Sequence, residues 1–292
     1  MSQLAANVRA AGLMLAAMGC YGFSDAMIKQ VSVAIPIGEI MGLRGIVMCL
    51  LLYAMLRHQG HPTDWGLWLH PWNIARGVAE IACAALYFAS LSRLPLGDAS
   101  ALFFVAPIIL TALAALILKE PVGPRRWTAV GIGFLGVMVV AGPPQGWTLL
   151  ILLPLTSAFF SALRDILQRR IPAEVPAGAI SLVTAGSMVL GGFATLPFGW
   201  VVPTAGQAGI LLLSAVIVAG GYQFYVLAIR AGDISFVSPF RYVAIPLAML
   251  LGFIGWGDVP TPMKLLGACI IVGSGLFIFY RERQLALRTR TG

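Results

Sequence analysis

Charge is what this chain has least of. Asp, Glu, Lys and Arg together make up 10% of its 292 residues, against about 25% in a soluble domain, while hydrophobic residues reach 59%. A water-soluble shape of this length cannot hide so much apolar surface, so the soluble globular class is excluded and lipid is the solvent. Cysteine is limited to Cys20, Cys49, Cys83 and Cys269, each inside an apolar run and without CxxC spacing. That excludes a disulfide framework or a thiolate metal site and leaves small packing residues. The histidines, His58, His61 and His70, all fall in "RHQGHPTDWGLWLHPW". They do not make up a zinc ligand set, and beside the tryptophans this loop reads as lying on the bilayer surface. No metal and no cofactor are expected. The N-terminal "MSQLAANVRAAGLMLAAMGCYGF" lacks a convincing cleavage site and reads as a first retained span.

What the chain does have is long apolar runs. A spanning helix needs about 20 mostly apolar residues. Ten segments qualify, at approximately 8–29, 35–57, 73–93, 97–118, 124–142, 148–169, 177–198, 206–230, 235–256 and 262–281. The breaks fall at turn-forming clusters such as "KEPVGP", "GPPQGW" and "WGDVPTP". Only 58–72 holds more than a turn between spans, so no soluble catalytic domain fits. An even number of spans puts both termini on one side. That side carries thirteen Lys and Arg, the other only Lys29, Arg93 and Lys264, with Arg44, Arg164 and Arg241 lying deeper. The positive-inside rule then places both termini in the cytoplasm. The net charge of +8 reports orientation, not a nucleic-acid partner.

The chain also repeats itself. "SDAMIK" (24–29) matches "RDILQR" (164–169), pairing Asp25 with Asp165 at an offset of 140. "LFFVAPIILTALAALILKE" matches "RYVAIPLAMLLGFIGWGD", pairing Pro107 with Pro246 at 139 and Glu120 with Asp258 at 138. Pro124 and Pro262 then open two glycine-rich final spans. Ordered markers at a nearly constant offset define two units, 1–145 and 146–292. Each holds an odd number of spans, so the two insert in opposite senses. Inverted repeats with a substrate site near the midplane are the plan of many secondary transporters. The expected fold is therefore all-α and integral to the membrane, with ten helices in two inverted five-helix repeats.

These features, with "RLPLGDASALFFVAPIILTALAALILKEPVGPRRWTAVGIGFLGVMVV" in one half and "SPFRYVAIPLAMLLGFIGWGDVPTPMKLLGACIIVGSGLFIFYRER" in the other, resemble the EamA family of the drug/metabolite transporter superfamily. Arg44 in "IMGLRGIVM" fits that family's second-helix arginine. The resemblance covers nearly the whole chain. It implies a bacterial inner-membrane exporter of small metabolites, often amino acids, working by alternating access and not an enzyme. One departure is the aspartate, Asp258, that stands opposite Glu120. A nucleotide-sugar or phosphate-ester antiporter, or an uptake carrier of another metabolite, is the alternative. Phosphate binding needs several cavity cations, and only Arg44 and Arg241 are available, which favours a neutral or zwitterionic cargo, aromatic or neutral amino acids foremost.

Ionisable groups inside a span mark a functional site by default. The candidate substrate contacts are Glu80, Tyr87 and Phe103 in the first half, and Tyr222, Gln223, Tyr225, Ser238, Arg241 and Tyr242 in the second. Glu80, Ala84 and Tyr87 share a helix face, and the repeat offset maps it onto Val218, Tyr222 and Tyr225. Tyrosine pairs an apolar ring with a hydroxyl, so two such faces suit a small amphiphile; the same rings also serve as helix–helix filler. Glu80 is open to two readings, a proton-exchanging carboxyl or a partner of Arg44 or Arg76. For Arg241 the readings are a snorkelling lipid anchor and a fork onto a carboxylate. Pro107 and Pro246 are candidate hinges. Asp25 and Asp165, each followed at i+4 by a base (Lys29, Arg169), are gates or simple helix-end pairs. The interfacial glycines Gly131, Gly133, Gly136, Gly267, Gly273 and Gly275 pack helices within the chain or against another subunit. Monomer and homodimer both stand, as does the proton as coupling ion.

Overall fold

The structure, a computed structural model, describes residues 3–60, 64–117, 119, 123–141, 149–172, 174–231 and 238–291. Among them every regular element is helical. In chain order these are α1 (Gln3–Val31), α2 (Ile37–His58), α3 (Trp65–Trp68), α4 (Pro71–Leu91), α5 (Leu96–Phe103), α6 (Ala106–Ile117), α7 (Pro124–Ala141), α8 (Leu152–Gln168), α9 (Ala177–Phe193), α10 (Ala205–Ala231), α11 (Ala244–Trp256) and α12 (Pro262–Thr291). A 3₁₀ segment, Ser238–Val243, leads into α11. Seven stretches are long and apolar enough to cross a membrane, and Trp127–Ala141, Phe240–Trp256 and Pro262–Ile278 are shorter apolar helices. Helix thus occupies each of the apolar segments read from the sequence. Glu120 and His61 lie outside the described residues.

Proline opens three of the helices. Pro71, Pro124 and Pro262 are the first residues of α4, α7 and α12, where a missing N–H goes unneeded and φ is already helical. At its far end α11 stops on Gly257, whose φ of +69° is left-handed. There the amides of Gly257 and Asp258 reach back to the carbonyls of Phe253 and Gly252, the first of these being the bond of an αL cap.

The fourth and ninth apolar segments are not continuous α-helices. The fourth breaks at Phe104–Val105, between α5 and α6, and the ninth is 3₁₀ until Val243 before turning α-helical. In both, the repeated proline falls in the first turn of the following helix: Pro107 in α6 and Pro246 in α11. Proline is tolerated there because the missing N–H donor would have no intrahelical partner. The prolines therefore sit beside a discontinuity in the chain rather than kinking an unbroken helix.

Packing runs between the two halves of the chain. Helix α1 lies on α10, α2 on α9, α4 on α8, α7 on α12, and α5 on α11. Lesser contacts join α4 to α9, α2 to α10, α6 to α8 and α1 to α11. Exchanging each span with its partner one repeat away turns this pattern into itself: α1–α10 becomes α8–α4, and α4–α9 becomes α10–α2. Glycine permits the closest approaches. A Cβ on Gly136 would lie 3.0 Å from the Gly267 carbonyl, and one on Gly267 2.8 Å from that of Gly136, so α7 and α12 meet backbone to backbone. Gly131 and Gly273, expected to pack likewise, have open space where a Cβ would stand.

In the loop after α2, Trp65 and Leu69 are exposed while Trp68 is buried. Trp68 is only 1% exposed and packs with Leu52, Leu56, Ala179 and Leu182 at the α2–α9 seam, where Asn73 donates to its carbonyl. His70 caps α4, its Nδ1 accepting from the Trp72 amide.

Candidate functional site

A cavity of about 180 Å³ opens where the halves meet. Helix α1 supplies Met18, Tyr21, Gly22 and Asp25, and α4 supplies Tyr87. Ser100 and Phe103 come from α5, Phe104 from the break after it, and Ala244 and Ala248 from α11. The α5–α6 discontinuity turns consecutive aromatics toward one space. Phe103 lies 4.7 Å from the Tyr87 ring and 6.1 Å from the Phe104 ring, which in turn lies 6.0 Å from Tyr242. The walls are aromatic and the one carboxylate among the lining residues is Asp25.

Asp25 is held by the wall itself. Tyr87 Oη donates to Asp25 Oδ2 at 2.9 Å and lies 3.4 Å from Ser100 Oγ. Arg44 stands behind, 7% exposed. Its Nη2 donates to Ser24 Oγ at 2.7 Å, and its guanidinium lies 5.5 Å from the centre of the Phe88 ring. Ser24 Oγ is also 3.4 Å from the Ser214 carbonyl of α10. Lys29 does not share this network. Its ammonium donates to the carbonyls of Leu91 (3.2 Å) and Leu94 (2.5 Å) and sits over Trp256. The expected Asp25–Lys29 helix-end pair is replaced because two carbonyls freed at the end of α4 are better placed for the long side chain.

Glu80 also finds a different partner from those expected. It accepts from Arg164 Nη1 at 2.6 Å, across the α4–α8 contact. Arg164 Nε reaches Asp165 Oδ1 at 3.2 Å and Nη2 reaches Ser161, while Arg76 turns to Gln168 and Thr184. Arg164 thus takes the bonded place that the i−4 spacing of Arg76 suggested, while Arg76 still acts on Glu80 electrostatically.

The other expected contacts divide. Tyr87 and Phe103 line the cavity with Asp25. Tyr222 packs on the Leu52–Leu182 seam and Tyr225 among Met14, Ala17 and Ala228. Neither lines the cavity itself, but Tyr225 packs in one cluster with Tyr21 and Phe104 of its wall, and both tyrosines act electrostatically on Tyr21. Gln223 Nε2 lies against Met55 Sδ at 2.5 Å, and Tyr242 is buried with Ile108, Ile245 and Ile271. Arg241 lies 5.6 Å above the Tyr225 ring and acts electrostatically on Tyr21. The side chain of Ser238 lies outside the described ones. Three residues went unread. Tyr21 is one turn before Asp25 on the same face, Ser100 is a hydroxyl in an apolar span, and Arg164 is an arginine in one, each a legible signal.

A second cavity, about 230 Å³, lies at the end of the molecule where α5 and α12 begin and α11 stops. Asp98, Asp258 and Lys264 line it, and Lys264 Nζ bonds Asp98 Oδ2 at 2.5 Å, joining the two halves.

The EamA-like transporter family model matches residues 8–142 and again 148–280. The chain belongs to the EamA-like transporter family. It is similar to a riboflavin transporter of Rhizobium johnstonii, 32% identical over 227 residues, 74% of this chain and 72% of that protein. A pseudopaline exporter of Pseudomonas aeruginosa is 26% identical, covering 89% and 93%. An S-adenosylmethionine uptake transporter of Rickettsia prowazekii is 23% identical, covering 73% and 72%. A solved crystal structure superposes with a TM-score of 0.65 at 17% identity, over 94% of this chain and 98% of the other, a likeness of fold. This EamA-family chain is a multi-pass membrane protein whose relatives carry small molecules, in both directions by their names.

Proposed function

We propose that this protein is a secondary transporter exporting a small zwitterionic metabolite with an aromatic or apolar body, neutral and aromatic amino acids first, across the bacterial inner membrane. The observation that carries the reading is the Asp25 carboxylate, held by Tyr87 in a cavity walled by Tyr21, Phe103 and Phe104. An ammonium group suits the carboxylate, an aromatic body suits the rings, and the Arg241 charge, which acts on Tyr21 of the wall, suits the cargo carboxylate. Ligand pockets usually measure roughly 300–1,000 Å³, so a cavity of about 180 Å³ favours a single-ring cargo in this conformation.

Alternating access follows from units 1–145 and 146–292 read as inverted five-helix repeats, both termini cytoplasmic. The family model's two matches and the self-mapping helix contacts support it. The Asp98–Lys264 pair is then a latch at the periplasmic end. With Glu80 tied to Arg164, Asp25 takes over as the carboxyl at which a coupling proton exchanges. A riboflavin-type cargo, moving inward or outward, is the second reading, favoured by the relative at 32% identity. Counterflow from proteoliposomes over an amino-acid panel plus riboflavin separates the two. The first reading expects an amino acid to exchange faster than in empty liposomes, and riboflavin exchange with no amino-acid exchange replaces it with the second.

A further inference from the structure

Arg44 does not line the cavity, yet it brackets the residues that make it. Its Nη2 holds Ser24, the neighbour of Asp25, and its guanidinium rests on Phe88, the neighbour of Tyr87. It is 7% exposed and acts electrostatically on Asp25. Ser24 is fully buried, and its hydroxyl also faces the Ser214 carbonyl, so the arginine is aimed through a fixed relay. A buried charge needs an opposite charge nearby, and Arg44 supplies it to Asp25 without itself lining the cavity.

We propose that Arg44 determines specificity by setting the net charge of the cargo. This rests on the reading of Asp25 as the cargo contact. Because Arg44 already compensates Asp25, that end of the site is close to neutral, and Arg241 is left to face the cargo carboxylate. A zwitterion suits this arrangement, whereas a cation adds a charge at the Asp25 end that nothing there balances. Removing the guanidinium reverses the preference: Asp25 is then uncompensated at its own end, and a cationic cargo restores neutrality there. Arg44 works through Asp25 and is a positioning residue.

The test is the ratio of affinities of purified full-length protein for two probes, phenylalanine and phenylalaninamide, measured by titration calorimetry. They share a ring and an ammonium, and the amide lacks the carboxylate. Wild-type protein and Arg44→Lys are expected to prefer the zwitterion. Arg44→Gln should move the ratio toward the amide by about tenfold or more. Ser24→Ala, which keeps the charge but loosens its aim, should move it the same way by less, and it serves where Arg44→Gln does not fold. A simple structural role lowers both affinities together, so an unchanged ratio in Arg44→Gln, or in Ser24→Ala alone if only that variant folds, overturns the inference. Failure of the underlying reading shows separately, as wild-type protein that binds neither probe or as Asp25→Asn binding both as wild type does.

Discussion

At the scale of single residues, two polar clusters divide the work. Around the cavity, Tyr87 gives its hydroxyl to Asp25 with Ser100 beside it. A hydrogen bond to a charged group is worth about 1.5–3 kcal/mol, so Tyr87→Phe should lower thermal stability in detergent, and, because Asp25 then loses the group that holds it, should weaken cargo binding by roughly tenfold; unchanged cargo affinity would remove Tyr87 from the site. Between α4 and α8, the Glu80–Arg164 pair is mostly buried. Breaking it from one side strands a charge, which costs about 3–5 kcal/mol. Glu80→Gln should therefore lower the melting temperature clearly, and Glu80→Leu with Arg164→Met should recover most of it, read by the same thermal assay. Sequence made one of these clusters half legible. Asp25, Tyr87 and Phe103 are readable as polar or aromatic groups in apolar spans. Their mutual contact is not, because it depends on the break at Phe104–Val105, which apolar periodicity does not signal. Arg164 stood in the sequence as a charge in a span, but its distance of 84 residues from Glu80 hides the pairing.

At the scale of elements, helix positions and starts are set by local chemistry and were readable for that reason: proline opens α4, α7 and α12, and glycine closes α11. Which glycines carry a contact was not readable, since a small residue looks the same on either face of a helix. The α7–α12 contact decides it. Gly267→Val places atoms against the α7 backbone and should destabilise by about 1–3 kcal/mol. Gly131→Ala, on a face with open space, should change stability little and in the favourable direction for a helix interior. Thermal unfolding of the two variants side by side checks this, and equal losses would contradict the assigned faces. Tyr222 and Tyr225 show what register leaves open. Tyr225 packs with Tyr21 and Phe104 of the cavity wall while Tyr222 packs at the α2–α9 seam, a division that the repeat offset does not fix.

At the scale of the whole molecule, the contacts between halves map onto themselves when the repeats are exchanged, which is what a carrier needs if one conformation is to become the other by swapping roles. The Asp98–Lys264 pair, half-exposed on the lysine side, is worth up to about 1 kcal/mol. That is enough to shift an access equilibrium about fivefold. Lys264→Gln in a cysteine-free background with Ala248→Cys should label about fivefold faster with an impermeant thiol reagent applied from that end, and unchanged labelling would remove the latch from the account. The central claim is that cargo meets Asp25 between the halves. Counterflow of the amino-acid panel in proteoliposomes, wild type beside Asp25→Asn, tests it most directly. The account predicts exchange of a neutral or aromatic amino acid by wild-type protein and its loss in Asp25→Asn; exchange that survives the substitution at the wild-type rate would contradict it.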